Sequence, residues 1–116
     1  MPPFSRELIA ASASLLILNI LTNGRNYGYR IIKHIQALTE GRLELSEGSL
    51  YPQLHRLEAQ GYIKSEWIEF ENGRKRKYYA ITNEGLTEAS NQWQNWQKMT
   101  EALTNSAHGG EDICSD

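Results

Sequence analysis

Three side chains suited to contacting DNA recur at helical spacing near the middle of the chain. Ser49, Gln53 and Arg56 lie three or four residues apart, so they share one face if the segment is helical. A hydroxyl, a carboxamide and a guanidinium are groups that hydrogen-bond to base edges and phosphates. The spacing therefore predicts a helix face that contacts DNA.

A run of cations supplies the second chemical signal. Residues Arg74 to Lys77 are all basic and directly follow Asn72-Gly73, which favours a tight hairpin because both residues tolerate the positive φ of a type I′ turn. A basic hairpin tip beside a DNA-contacting helix predicts contact with phosphates. The alternative is that these cations only solubilise the hairpin and pair with its glutamates.

The segments on either side of this turn, residues 62–71 and 74–81, are rich in the aromatic and β-branched residues typical of strands. A two-residue turn at Asn72-Gly73 sets their register. It places three pairs opposite each other: Glu71 with Arg74, Glu69 with Arg76, and Trp67 with Tyr78. Opposite charges and paired aromatic rings both favour this register.

The segment with the DNA-contacting face, called the recognition helix below, has clear end signals. Ser46 can cap its first turn, and Gly61 can take the left-handed conformation that ends a helix. Its apolar residues form one stripe that must be buried: Leu50, Leu54 and Leu57. Pro52 removes a backbone hydrogen bond in the second turn, so we expect a kinked or loosely wound start.

The first helix, residues 5–21, is apolar around most of its circumference. A helix of this kind needs cover on two sides. We expect its own domain to cover one side and a second subunit to cover the other. The apolar run Leu8 to Leu21 is shorter than the about 20 residues that span a membrane, so we expect no membrane segment here.

The second helix completes a helix-turn-helix motif. After a turn at residues 23–26, residues 27–40 form the predicted helix, Gly41 ends it, and residues 41–45 lead to the recognition helix. Tyr27 and Tyr29, together with Arg25 and Lys33, are placed to touch phosphates. For the tyrosines, half-buried packing is the alternative.

The last helix begins at the N-cap Thr82 and repeats small or apolar residues at steps of three and four: Leu86, Ala89, Trp93, Trp96, Thr100 and Leu103. Such a seam is typical of association between helices, and it predicts dimerisation. The two tryptophans either seal that interface or form the walls of a pocket for aromatic ligands. Residues 104–116 lack periodicity, which predicts a disordered tail.

Charge is divided unevenly along the chain. The net charge of −2 does not suggest a nucleic-acid binder, but residues 1–81 carry 11 Lys and Arg against 8 Asp and Glu, whereas residues 82–116 carry 1 against 6. Residues 1–81 are therefore suited to binding an anion, and residues 82–116 to a different task. The length suits one domain, and the lone Cys114 predicts a reducing, cytoplasmic setting.

No group of residues predicts an enzyme. His34, His55 and His108 lack the spacing of metal ligands, and Cys114 has no paired base. The chain also lacks a phosphate-binding glycine loop and an evident carboxylate dyad. We expect no catalytic residues, no metal and no cofactor.

Several of these segments resemble the PadR family of bacterial winged-helix transcriptional regulators, in particular its short subfamily with one C-terminal helix. The similarity covers about Leu8 to Leu103. It rests on four stretches: Tyr27-Gly28-Tyr29, Gly48 to Gly61 with its Leu-Tyr-Pro segment, Gly73 to Tyr79, and Thr82 to Gly85.

This resemblance implies a homodimer in which the last helix of one subunit packs on the first helix of the other. Two recognition helices then enter successive major grooves about 34 Å apart, over an inverted repeat. In the multidrug-sensing branch a tryptophan of the last helix stacks flat drugs in a central pore, and Trp96 lies at that position. Its expected neighbours are Leu8, Ser12, Leu15, Gln92, Trp93 and Thr100. Other branches respond to phenolic acids, govern virulence or developmental genes, or extend the period of cyanobacterial clocks with no known ligand.

The predicted fold is mainly α with a small β-hairpin: a winged helix-turn-helix in residues 1–81 and a C-terminal dimerisation helix in residues 82–103. The residues predicted to contact DNA are Tyr27, Tyr29, Ser46, Gly48, Ser49, Tyr51, Gln53, Arg56, Gly73, Arg74, Lys75, Arg76 and Lys77. The predicted function is a homodimeric repressor that binds double-stranded DNA in the bacterial cytoplasm, on the nucleoid, and is relieved by a small flat aromatic ligand. The alternative is a winged-helix module that regulates another protein without an inducer.

Overall fold

The computed structural model describes residues 2–108. Its elements in chain order are α1 (Arg6–Thr22), β1 (Asn26–Tyr27), α2 (Gly28–Leu38), α3 (Glu47–Ala59), β2 (Ile63–Glu69), β3 (Lys75–Ile81) and α4 (Asn83–Ala107). The strands form one antiparallel sheet in the order β1-β3-β2. The predicted fold class, a mainly helical winged helix-turn-helix, is confirmed.

Helix α1 lies at the centre of the core. It buries six residues: Ala13, Leu15, Ile17, Leu18, Ile20 and Leu21. Helices α2, α3 and α4 and strand β3 all contact it. The stripe of Leu50, Leu54 and Leu57 on α3 is buried in the same cluster, as the sequence predicts. This burial leaves the opposite face of α3 at the surface.

The recognition helix α3 begins and ends where its sequence indicates. The Ser46 side chain accepts from the Ser49 N–H at 3.2 Å, and Gly61 follows the helix with φ of 83°. Pro52 lies inside α3, which is one continuous helix. The kink or loose winding expected at its start therefore does not interrupt the helix. The carbonyl that loses its partner belongs to the exposed Gly48, where water can hydrate it.

The hairpin loop differs from the predicted two-residue turn. The Phe70 N–H donates to the Arg74 carbonyl at 2.8 Å, and the Gly73 N–H donates to the Phe70 carbonyl at 2.9 Å. Gly73 has φ of 82°, whereas the only non-glycine residue with positive φ in residues 2–108 is Glu40. The loop is therefore a three-residue type, a turn followed by a left-handed glycine, and not a type I′ turn.

This loop shifts the pairing of β2 and β3 by one residue. Trp67 lies opposite Lys77 and Glu69 opposite Lys75. The predicted pairing of Trp67 with Tyr78, and of the two glutamates with arginines, is wrong. The Asn72 side-chain oxygen accepts a hydrogen bond from the Arg74 N–H at 3.0 Å. This contact, which the sequence did not predict, stabilises the three-residue loop.

Three element boundaries also differ from the prediction. Asn26–Tyr27, assigned in part to a turn, forms strand β1 beside β3, and α2 covers only Gly28–Leu38. Helix α4 continues beyond Leu103 to Ala107, because adding residues to an existing helix costs far less than starting one. Residues 104–107 of the predicted disordered tail are thus helical, and residues 109–116 lie outside the described residues.

Helix α4 leaves most of its surface uncovered. Of its residues 83–107, only Gly85 and Ala89 are buried. Trp93 and Leu103 on its apolar seam are 52% and 62% exposed. The described chain is correspondingly elongated, with extents of 69 × 34 × 21 Å.

The described residues, 2–108, contain the four helices α1 to α4. None of these helices combines the length and the hydropathy needed to cross a membrane. Over the same residues, no group of His, Cys, Asp and Glu side chains is arranged to hold a metal ion.

Candidate nucleic-acid interface

The exposed face of α3 carries the three side chains singled out by their spacing. Ser49 and Arg56 are exposed and Gln53 is half-buried. The Arg56 guanidinium donates to the Gln53 side-chain oxygen, so these two groups lie together on the helix surface. The Ser46 hydroxyl caps the helix and also donates to the Ser49 hydroxyl at 3.2 Å. Ser46 therefore has a structural role, whereas Ser49, Gln53 and Arg56 present polar atoms outward.

Tyr51 is placed differently from these neighbours. It is half-buried against the core, and a Cβ added to Gly28 would lie 2.6 Å from its hydroxyl oxygen. Gly28, at the start of α2, thus leaves the room that the Tyr51 ring needs. This member of the predicted DNA-contacting set therefore also packs α3 against α2.

The cations of the wing, the hairpin formed by β2, β3 and the loop between them (residues 63–81), do not pair with its glutamates. Within residues 2–108 the one salt bridge joins Arg25 to Glu66, with 3.0 Å between the guanidinium and carboxylate atoms. Arg74 and Lys75 lie at the exposed tip next to Gly73 and have neither an ion pair nor a ring contact in that part of the chain. They are available for an external anion.

Arg76 and Lys77 are held by aromatic rings. The Arg76 guanidinium carbon lies 4.4 Å from the Tyr27 ring centroid and 5.7 Å from that of Phe70. Tyr27 in turn meets Tyr78 edge-on, with centroids 5.3 Å apart. The Lys77 ammonium lies 5.7 Å from the Tyr79 centroid. These contacts direct the two side chains and tie the wing to β1.

Tyr29 and Tyr27 separate into different environments. Tyr29 is exposed on the first turn of α2, and the Lys33 ammonium lies 5.3 Å from its ring centroid. Tyr27 is half-buried in the ring cluster of the wing. The packing alternative therefore fits Tyr27, and surface contact fits Tyr29.

Beneath the interface, a hydrogen bond and a shared apolar core join the sheet to α3. The Ser65 hydroxyl donates to a Glu58 carboxylate oxygen at 2.5 Å. Tyr79 on β3 is buried, and burial raises the pKa of its phenol, with smaller contributions from the nearby Tyr51 and Glu58. The wing and the recognition helix are thus parts of one packed unit.

A second candidate site is an apolar groove of about 340 Å³ between α1, α4 and the segment that follows α2. Of the predicted ligand contacts, the following line it: Leu8, Ser12, Leu15, Trp93, Trp96 and Thr100. Gln92 lies outside it, and its amide nitrogen is 3.4 Å from the Ser14 hydroxyl. The lining residues that the sequence reasoning missed are Phe4, Leu16, Asn19, Thr39 and Leu43. Leu16 could have been predicted, because it belongs to the apolar surface that surrounds α1. Leu43 could not, because it lies in the segment between α2 and α3, which has no helical or strand periodicity.

Comparisons with known proteins give a consistent set of similarities. Residues 17–91 match the profile of the "Transcriptional regulator PadR-like family". "Transcriptional regulator YqjI" of Escherichia coli is 41% identical over 71 residues, which cover 61% of this chain and 32% of that protein. The structure of a transcriptional regulator from Clostridium thermocellum is 32% identical, with a TM-score of 0.78 over 85% of this chain and 96% of that chain. A PadR-like transcriptional regulator from Bacillus cereus is 28% identical, with a TM-score of 0.77 over 89% and 98%.

Proposed function

Because the chain belongs to the PadR-like family of transcriptional regulators, we propose that it acts as a homodimeric, sequence-specific repressor that binds an inverted-repeat operator. The observation that carries this proposal is the outward polar face of α3 next to a wing whose tip cations Arg74 and Lys75 have no partner within residues 2–108. A helix and a basic wing on one rigid unit suit a major groove and the adjacent backbone. As a regulator of this kind it acts on the nucleoid in the cytoplasm.

Each part of this surface has its own task in the proposal. Ser49, Gln53 and Arg56 contact base edges or phosphates from the major groove. The exposed Gly48 lets the start of α3 approach the backbone closely. Tyr29 contacts a phosphate from α2. Residues 73–77 at the wing contact the backbone or the minor groove.

The uncovered seam of α4 supports the homodimer. A long helix with exposed Trp93 and Leu103 leaves an apolar strip that a second copy can bury. In the proposed dimer, α4 of one subunit packs against α1 and α4 of the other. The two recognition helices then lie about 34 Å apart, one helical turn of DNA.

The groove beside Trp93 and Trp96 supports relief by a small flat aromatic ligand. Its volume of about 340 Å³ and its largely apolar lining match the concave sites that bind such molecules. A ligand that stacks on Trp96 would sit between α1 and α4, the helices that position the two recognition helices. Packing of the two indoles in the dimer seam alone is the competing role. Titration with planar aromatic compounds distinguishes the ligand pocket from packing alone. A ligand that stacks on Trp96 should quench tryptophan fluorescence, whereas packing alone predicts no quenching.

The test of the repressor is the salt dependence of binding to a duplex that the protein itself selects from a random-sequence pool. We expect affinity to fall steeply between about 50 and about 200 mM salt, because each neutralised phosphate releases about 0.9 counterion. The double substitution Arg74→Ala and Lys75→Ala removes four cations from the homodimer, so it should weaken binding to all sequences alike and lower the salt slope by about 4. Gln53→Ala should instead change the preference among sequences.

The matched control removes two positive charges elsewhere, by Lys64→Ala and Lys98→Ala, and should leave the slope unchanged. A flat salt response of the wild-type protein would contradict the proposal. Failure to retain any duplex, together with co-purification of a protein partner, would favour the protein-interaction module. Repression is tested by transcription in vitro from a promoter that carries the selected site, which should fall when the protein is added.

A further inference from the structure

One face of the wing carries an exposed indole that the proposed function leaves unused. In the pairing of β2 with β3, Ser65 lies opposite Tyr79 and Trp67 lies opposite Lys77. Directly paired residues, and residues two apart along a strand, share one face of a sheet, so these four side chains lie on the same face. Along this face burial decreases outward: Tyr79 is buried, Ser65 is half-buried and Trp67 is 66% exposed.

This face of the wing is turned toward the recognition helix. Ser65 donates to Glu58 near the end of α3, and Tyr79 lies close enough to Tyr51 and Glu58 for both to affect its pKa. The pair of Trp67 and Lys77 is the next one outward. It therefore lies on the α3 side of the wing, between the recognition helix and the tip cations.

In the docking of the proposed function, a duplex bound by both elements passes over this pair. Adjacent major and minor grooves are separated by one sugar–phosphate strand. A protein with α3 in a major groove and its wing tip at the neighbouring minor groove straddles that strand. The α3 side of the wing, where Trp67 and Lys77 lie, faces it.

We propose that Trp67 and Lys77 form a clamp on this strand. The indole ring packs against a deoxyribose, its N–H donates to a phosphate oxygen, and the Lys77 ammonium contacts a phosphate. This inference rests on the proposed function and adds a contact to it. The charge of this face favours DNA as the occupant, because the next pair outward is Glu69 with Lys75, and the cations Lys75 and Lys77 outnumber that one carboxylate beside the indole.

Other contacts agree with this role. Lys77 is kept on the same face by the Tyr79 ring, 5.7 Å from its ammonium. Trp67 has no aromatic partner within residues 2–108, whereas Trp93 and Trp96 line the groove beside α1. The exposed indole is thus explained neither by the core nor by the dimer seam.

The test uses the duplex selected by the wild-type protein and four variants whose folding is checked by circular dichroism. Trp67→Ala should weaken binding about tenfold, and Trp67→Phe, which keeps a ring, should weaken it less. Lys77→Ala removes one cation from each subunit and should lower the salt slope of the dimer by about 2. The control Lys64→Ala, on the opposite face of the same strand, should leave the slope unchanged. Equal affinity of Trp67→Ala and the wild type would overturn the clamp, and it would leave the repressor intact because the proposed function does not use Trp67.

Fluorescence gives an independent measurement. The chain has three tryptophans, and the double substitution Trp93→Phe and Trp96→Phe leaves only Trp67. Saturating duplex should quench and shift its emission. Unchanged emission at saturation would overturn the clamp, whereas a wild-type protein that retains no duplex would instead overturn the proposed function on which the clamp rests.

Discussion

Tyr79 combines burial with a hydroxyl that lacks a hydrogen-bond partner. The residue is 1% exposed, and its phenolic oxygen has no partner within residues 2–108. An unpaired buried polar group costs about 1–3 kcal/mol, so Tyr79→Phe should raise the free energy of unfolding by about 1 kcal/mol. Urea denaturation measures this change. Tyr29→Phe removes an exposed hydroxyl and should leave stability unchanged; a loss of stability in Tyr79→Phe would show that its hydroxyl is bonded in solution.

The pH dependence of the same variant gives a second readout. Burial, with Tyr51 and Glu58, raises the pKa of Tyr79 above its ordinary value of 10.0, so the unfolded chain loses this proton at a lower pH than the folded chain. The protonated phenol makes its full contribution to the free energy of unfolding below pH 10.0. This contribution is lost as the pH rises through the pKa that Tyr79 has in the folded chain. The stability difference between Tyr79→Phe and the wild type should therefore widen above that pH. A constant difference across the alkaline range would contradict the shift.

Helix α4 is joined to the rest of the fold at its first turn. The Thr82 hydroxyl donates to the Gly61 carbonyl at 2.6 Å and accepts from the Gly85 N–H at 3.0 Å. The Thr82 N–H donates to the Tyr62 carbonyl at 3.0 Å. A Cβ added to Gly85 would lie 2.1 Å from the Tyr62 carbonyl oxygen, so only glycine permits this approach. The angle between α4 and the rest of the domain depends on this close approach of Gly85 to the Tyr62 carbonyl.

Gly85→Ala should therefore lower the free energy of unfolding by about 1–3 kcal/mol, the usual cost of overpacking. Thermal and urea denaturation measure it. Gly48→Ala is the matched control, because that glycine lies in helix α3 and a Cβ there would meet only the Ser46 hydroxyl, at 3.7 Å. Alanine at this helical position should stabilise by about 0.5–1 kcal/mol. Equal stability of Gly85→Ala and the wild type would show that the close approach is not required.

At the scale of the whole molecule, the uncovered end of α4 predicts self-association. Leu103 lies on the exposed seam, 62% exposed. In the proposed dimer Leu103→Glu buries a charge, so the dissociation constant should rise at least about tenfold. Light scattering over a concentration series measures it. Gln97→Glu adds the same charge off the seam and should leave the dimer intact; a Leu103→Glu protein that dimerises as tightly as the wild type would contradict the arrangement.

Local patterns in the sequence were sufficient to predict the main elements. The caps Ser46 and Thr82 and the stop at Gly61 depend on atoms within a few residues, and the leucine stripe of α3 depends only on helical spacing. The fold class and the family motifs follow from these signals. The seam of α4 was visible in the same way, because its exposed residues repeat along one helix.

The tertiary structure alone decided how these elements meet. The hairpin register depends on whether the loop has two or three residues, and one residue of difference changes every pair, including the neighbour of Trp67. The inward position of Tyr51 depends on Gly28, far away in the chain, and Leu43 joins the groove from an irregular segment. Such contacts join residues that are distant in sequence, so no local periodicity records them.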